Sequence, residues 1–120
     1  MRKVNLAEAF GRFSEQWSPK IIGEVNDCQV KLARVQGEFV WHSHETEDEL
    51  FMVIRGRFTL RFRDREVDLE EGELMIVPRG VEHLPVAEEE AWLLVFEPGT
   101  TLNTGDAISD RTVEEPERLY

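Results

Sequence analysis

The sequence predicts an all-β domain, a sandwich or closed barrel, with one short helix ahead of it. Two observations carry that prediction. From Cys28 onward, apolar and polar residues alternate with a period of two in short runs, the signature of strands with one buried face. Those runs are separated by turn-forming residues such as Gly56, Asp64-Arg65, Gly72 and Pro78-Arg79-Gly80, and roughly eight to ten short strands so spaced close on themselves as a sandwich or barrel. At 120 residues the chain suits a single core. It divides into an N-terminal helix and arm (residues 1–27), a barrel (28–97) and a C-terminal tail (98–120) that packs on the barrel or a partner subunit.

Taken in order, Asn5 is placed to cap a helix through Leu6, Ala7, Glu8, Ala9 and Phe10, with Glu8 at the capping-box position. Leu6, Ala9, Phe10 and Phe13 fall near one face, so the helix docks on the barrel, and Gly11 limits its length. Ser18-Pro19 leads into an extended segment. The first strand of the barrel runs from Cys28 to near Gly37, with Cys28, Val30 and Leu32 on its buried face. A second covers Phe39 to His44, in which Val40, His42 and His44 share a face. A dense apolar strand runs from Glu49 to Ile54. Phe58, Leu60 and Phe62 alternate with arginines and threonine, and Asp64-Arg65 turns the chain into Glu66–Leu69. The wholly apolar Leu74–Val77 reads as a central strand. Glu88-Glu89-Glu90 reads as an acidic turn before a last strand over Trp92–Phe96, and Pro98-Gly99 ends the barrel.

Charge and composition narrow the function. The formal net charge of −11 repels phosphate backbones, which argues against nucleic acid. Arg55, Arg57, Arg61, Arg63 and Arg65 alternate with apolar residues and read as a solvated strand face. No apolar run approaches the ~20 residues of a membrane span, and the first residues lack the pattern of a secretory signal. Cys28 is the single cysteine, so no internal disulfide forms, and a cytoplasmic location is expected.

The chemistry lies between Gly37 and His83, a stretch holding all three histidines. His42 and His44, two apart on a strand, grip one ion from one side; His83 arrives from another strand after the Pro78-Arg79-Gly80 turn. Four acids follow His44, of which Glu49 is the expected fourth ligand, because it opens an apolar strand and shares a face with Phe51 and Val53. Glu45, Glu47 and Asp48 sit in the connection, with Glu47 the fallback ligand. A lone histidine in a strand is usually a hydrogen-bonded core or surface residue; three imidazoles and an acid together suit a transition metal, while oxygen-only sites suit Mg²⁺ or Ca²⁺. The expected cofactor is one divalent ion: Fe, Mn, Ni or Zn, with Cu also compatible. Val40, Phe51, Trp92, Leu94 and Phe96 are the expected pocket wall.

These residues resemble the two motifs of the cupin superfamily, specifically its small single-domain conserved-barrel members. The first motif is matched by Gly37, four residues, His42-x-His44, four residues, Glu49, six residues, Gly56. The second is matched by Gly72, five residues, Pro78-x-Gly80, two residues, His83, three residues, Ala87. The chain departs from the family twice: its first glycine lies one residue closer, and Ala87 stands where the family has asparagine. The resemblance covers about residues 28–97. It implies a double-stranded β-helix (jelly-roll) barrel with a metal ion inside and a homodimer. It also implies one or two open positions on the ion, against the closed tetrahedral site that four ligands make around structural zinc.

The expected function is a metal-dependent non-haem oxygenase (a dioxygenase-like oxidoreductase) acting on a small chelating organic compound. Two alternatives stand beside it: a metal-dependent isomerase or decarboxylase, and a non-enzymatic barrel that binds a small ligand. No residue stands out as a separate general base, although Glu47 or Glu82 would serve if either turned inward.

Overall fold

The structure, a computed structural model, describes all of residues 1–120. One helix, α1 (Leu6–Phe10), precedes eight strands: β1 (Lys20–Val25), β2 (Cys28–Glu38), β3 (Glu49–Arg55), β4 (Phe58–Arg61), β5 (Glu66–Leu69), β6 (Leu74–Val77), β7 (Leu84–Pro98) and β8 (Glu117–Arg118). The strands are hydrogen-bonded in the order β5-β4-β7-β2-β1-β8, and β3 bridges β7 to β6. No helix is long and apolar enough to cross a membrane.

β7 organises this sheet. One of its edges pairs with β2 from Cys28↔Pro98 to Glu38↔Val86. Its other edge is shared: the first residues pair with β4 (Arg61↔Leu84) and the later ones with β3 (Leu50↔Phe96). Glu88–Glu90 is therefore not a turn but the exposed middle of one long strand. Its charges stay wet, and Glu90 accepts from Arg34 Nη1 at 2.7 Å and Gln16 Nε2 at 2.8 Å.

Alternation along the strands sorts two cores. Ala33, Val35, Phe51, Val53, Phe58, Leu60, Leu69, Val77, Leu93 and Val95 fill the barrel. Ala9, Phe10, Phe13 and Leu32 form a second cluster outside it, with Trp92 and Leu94 packed against them. Sequence alternation put Cys28, Val30 and Leu32 inside the barrel. The structure reverses that face: Lys31, Ala33 and Val35 point in, and Leu32 is buried because α1 covers the outer surface. α1 is capped as expected, Glu8 N–H donating to Asn5 Oδ1 at 2.9 Å. Phe10 stacks on Trp92 with ring centroids 4.6 Å apart.

Two further expectations are corrected. Phe39–His44 is not a regular strand; it is tied to the barrel by one antiparallel bridge between His42 and His83. β6 is an edge strand rather than a central one. Its only partner is β3, and Leu74 and Ile76 are 51% and 55% exposed while Val77 faces the core. The extended segment expected after Pro19 is strand β1, which joins the N-terminal arm to the sheet. The tail returns to that strand through β8, parallel to β1, and Leu119 N–H donates to Ile21 O at 3.0 Å.

Gly56 closes the turn between β3 and β4 at φ +87°, where a Cβ would lie 3.2 Å from Glu90 O and 3.3 Å from Ala91 Cα. Both the backbone conformation and the close approach to β7 require glycine there. For the core itself, Leu60 is fully buried, so Leu60→Ala should cost about 2–5 kcal/mol. Urea denaturation should show this as a lower midpoint at unchanged slope.

Candidate metal centre

Three features of the backbone set the four ligand candidates. Glu49 is the first residue of β3, its side chain on the inward face with Phe51 and Val53. His42 and His83 face each other across their bridge, His42 N–H donating to His83 O at 3.1 Å and His83 N–H to His42 O at 2.9 Å. The Pro78-Arg79-Gly80 turn grips the same region: Gly80 N–H donates to His44 O at 2.8 Å, and Arg79 N–H to Asp48 Oδ1 at 2.9 Å.

The tail closes over the outside of this segment. Asp106 accepts from Ser43 N–H at 2.9 Å, while Asp106 N–H donates to Ser43 O at 3.1 Å. Gly105 packs so tightly there that a Cβ would fall 3.0 Å from His42 Cδ2. Thr100 Oγ1 donates to Glu47 at 3.0 Å, drawing Glu47 away from the ligand cluster.

The result brings His42, His44, Glu49 and His83 together, all buried, with their ligand atoms within 4.8 Å of one another. His44 Nε2 lies 3.3 Å and His83 Nε2 3.4 Å from Glu49 Oε1. The ring nitrogens on the far side are spoken for. His42 Nδ1 sits 2.8 Å from Val40 O and His83 Nδ1 2.9 Å from Val81 O, so each Nδ1 carries the donated proton and leaves Nε2 a free lone pair. His44 Nε2, His83 Nε2 and Glu49 Oε1 are buried with no hydrogen-bond partner. Buried polar atoms are normally paired, and three converging orphans fit a metal ion. Opposite ligands on one ion lie no more than about 4.2 Å apart, so loading would draw the widest pair slightly inward.

Electrostatics agree. Burial, then the neighbouring His83, pushes His42 from 6.5 down to about 4, so it is neutral near pH 7, the form that binds metal. Burial alone would raise Glu49, but contacts with Glu97, His44 and His83 hold it well below the usual carboxylate range. Glu97 is pushed well above that range by burial and by the facing charge of Glu49. The two facing carboxyl groups are thus pushed apart, Glu49 toward the ionised form and Glu97 toward the protonated one.

A cavity of about 50 Å³ adjoins the cluster, lined among others by His42, Glu49, Phe51, Phe58, Leu93 and Val95. Phe51, one of the expected wall residues, lines this cavity. Trp92, Leu94 and Phe96 do not: the inward residues of β7 are Leu93, Val95 and Glu97, and their odd-numbered phase turns the other three outward. Val40 contributes its carbonyl to His42 rather than a pocket wall. Glu82 is exposed and pairs with Arg63 at 3.1 Å, and Trp41 packs beneath the Arg63 guanidinium at 3.8 Å.

Sequence reasoning missed Trp17, Phe39, Lys31 and Glu97. Trp17 and Phe39 line the cavity and stack at 4.6 Å. Lys31 Nζ and Glu97 Oε1 form a buried pair at 2.9 Å. Their signal was present as polar residues ending apolar alternations, Lys31 before Ala33 and Val35, and Glu97 after Leu93 and Val95.

The family model of the cupin domain matches residues 30–98. The chain belongs to the cupin family. A cupin-2 domain containing protein from Shewanella frigidimarina NCIMB 400 superposes with a TM-score of 0.79 at 45% identity, over 79% of this chain and 93% of that one. Protein NMB1881 from Neisseria meningitidis gives 0.75 at 28% identity, over 82% and 100%. The uncharacterized protein YdbB of Bacillus subtilis (strain 168) is 36% identical over 80 residues, 66% of this chain and 71% of its own. In this cupin the position after His83 that the motif gives to asparagine is Ala87, buried in the barrel core.

The depressed His42 gives a signed pH dependence for the metal-free protein. The unfolded chain takes up a proton near pH 6.5 that the folded chain refuses until about pH 4. The stabilisation is thus complete above pH 6.5 and lost as pH falls to about 4. Stability of the chelator-treated protein in urea should fall across that window, and His42→Gln should flatten the slope.

Proposed function

We propose that the chain is a metal-dependent cupin of non-haem oxygenase type, acting on a small chelating organic compound. The supporting observation is the set of buried, partnerless ligand atoms on His44, Glu49 and His83, with His42 beside them; His42 and Glu49 also line a largely apolar cavity. His42, His44, Glu49 and His83 would hold one divalent ion: Fe, Mn, Ni or Zn, or Cu. When bound, the ion supplies Lewis acidity and, if redox-active, access to O₂ chemistry.

The chain's own residues do the rest. The carbonyls of Val40 and Val81 fix the His42 and His83 rings. Glu49, kept ionised, offsets positive charge that apolar surroundings would otherwise penalise. Phe51, Phe58, Leu93 and Val95 exclude water and orient a small substrate. The free cysteine is in keeping with the cytoplasm.

Untagged protein purified without added metal should contain about one ion per chain, by the four-ligand count, and consume oxygen with at least one small chelating substrate. His42→Ala and His83→Ala should lose most of the metal and the oxygen uptake. Undiminished metal in both variants rejects the ligand set; metal without oxygen uptake on any of a set of small chelating acids and diols rejects the oxygenase.

The assembly we propose is a homodimer. The unpaired edge of β6 with its exposed Leu74 and Ile76 supports this, since unprotected apolar edges are normally covered. Ile76→Lys should shift the protein to monomer in sedimentation velocity. A wild-type chain that sediments as monomer refutes the dimer.

A further inference from the structure

The four ligand candidates leave Lys31 and Glu97 unexplained. Strand register puts them in one file with the centre. β2 and β7 pair with Gln29 opposite Glu97 and Lys31 opposite Val95, so Lys31 and Glu97 are diagonal neighbours on the inward face. β3 and β7 pair with Leu50 opposite Phe96, which sets Glu49 beside Glu97. The file runs Lys31, Glu97, Glu49 and then the imidazoles, and Lys31, Glu97, Glu49 and His42 all line the cavity.

Stability gives no reason for this arrangement. Lys31 is 2% exposed, and a buried ion pair is commonly replaceable by apolar side chains without loss. The pair is also under-used. An ammonium has three donors; Lys31 places one on Glu97 Oε1 at 2.9 Å, leaving two for an occupant of the cavity.

Charge decides the class of occupant. With a divalent ion in place, the ion and Lys31 outweigh the carboxyl groups of Glu49 and Glu97 by at least one positive charge, whether or not Glu97 keeps its proton. An uncompensated charge among Phe51, Phe58, Leu93 and Val95 is costly. A neutral ligand leaves it so, and an anion removes it.

Resting on the metal-binding reading above, we infer that the cavity takes a small carboxylic acid that chelates the ion through oxygen donors at one end. At the other end it presents a second carboxylate to Lys31. Specificity then lies in a cation two strands away from the ion, held in place by Glu97.

The test uses zinc-loaded protein, in which no redox step intervenes, and isothermal titration calorimetry. The probes are two hydroxy-diacids, malate and tartronate, each against its mono-amide, which keeps the chelating end and removes the distal charge. In the wild-type chain at least one diacid should bind ten-fold or more tightly than its mono-amide. Equal affinities in both pairs, or no binding, overturn the inference without recourse to any variant. In Lys31→Met/Glu97→Gln, which leaves no buried charge unpaired, the preference should fall to about two-fold or less with zinc content unchanged. A preference that survives removes Lys31 from the site. Loss of zinc from the variant also overturns the inference, because the pair would then support the ion rather than the ligand. Zinc content is measured before titration, so a wild-type chain that takes up no metal fails at the metal-binding reading itself.

Discussion

Three ligand atoms buried without a partner, His44 Nε2, Glu49 Oε1 and His83 Nε2, are the constraint around which this barrel is built. Leaving a buried polar group unpaired costs roughly 1–3 kcal/mol each, more if it is charged. A domain's whole stability is about 5–15 kcal/mol, so such atoms are tolerated only where the surrounding frame holds them. β7 provides that frame, pairing with β2, β3 and β4 along its length. The His42–His83 bridge, the Gly80–His44 hydrogen bond and the Ser43–Asp106 exchange then remove the freedom that would let the ligand segment swing outward. An ion bound there would return that stored free energy as affinity, because metal that binds only the folded chain adds to stability by linkage.

How much of this was legible beforehand depended on what a residue's neighbours in sequence share with its neighbours in space. Glycine and proline positions, the helix cap at Asn5 and the spacing of His42, His44, Glu49 and His83 are local features, and each was read at its place. The faces of β2 and β7 were not local. Leu32 and Trp92 are as apolar as inward residues because α1, far away in sequence, lands on them. Period-two alternation cannot tell a face covered by the barrel from one covered by a helix. Lys31 was passed over for the opposite reason, since a lysine in an alternating run is ordinarily at the surface. β6 misled for a third reason. Four apolar residues in a row look the same on an edge as in the middle of a sheet, and only the pairing partners separate the two.

The surface is organised on a different principle from the interior. Arg57 pairs with Asp68 and Glu70, Arg61 with Glu38 and Glu66, and Arg63 with Glu82. These pairs are exposed, worth little individually and screened by salt, but they leave the basic strand face neutralised. Arg34, which also pairs with Glu90, and Arg55 lie 4.7 Å and 3.9 Å from the Trp92 ring. The outer arginines are thus committed to the sheet's own acids and aromatics.

That commitment bears on how an anionic ligand would be recognised. A chain of net charge −11 gives a small anion no long-range attraction, and at physiological salt its field decays over about 8 Å. Steering at the surface therefore works against a carboxylate rather than for it. Any preference for one must arise after entry, where low polarity makes a single ammonium count for far more than it does in water. Lys31, with two donors uncommitted beside a candidate cation site, is the group in this barrel placed to supply it.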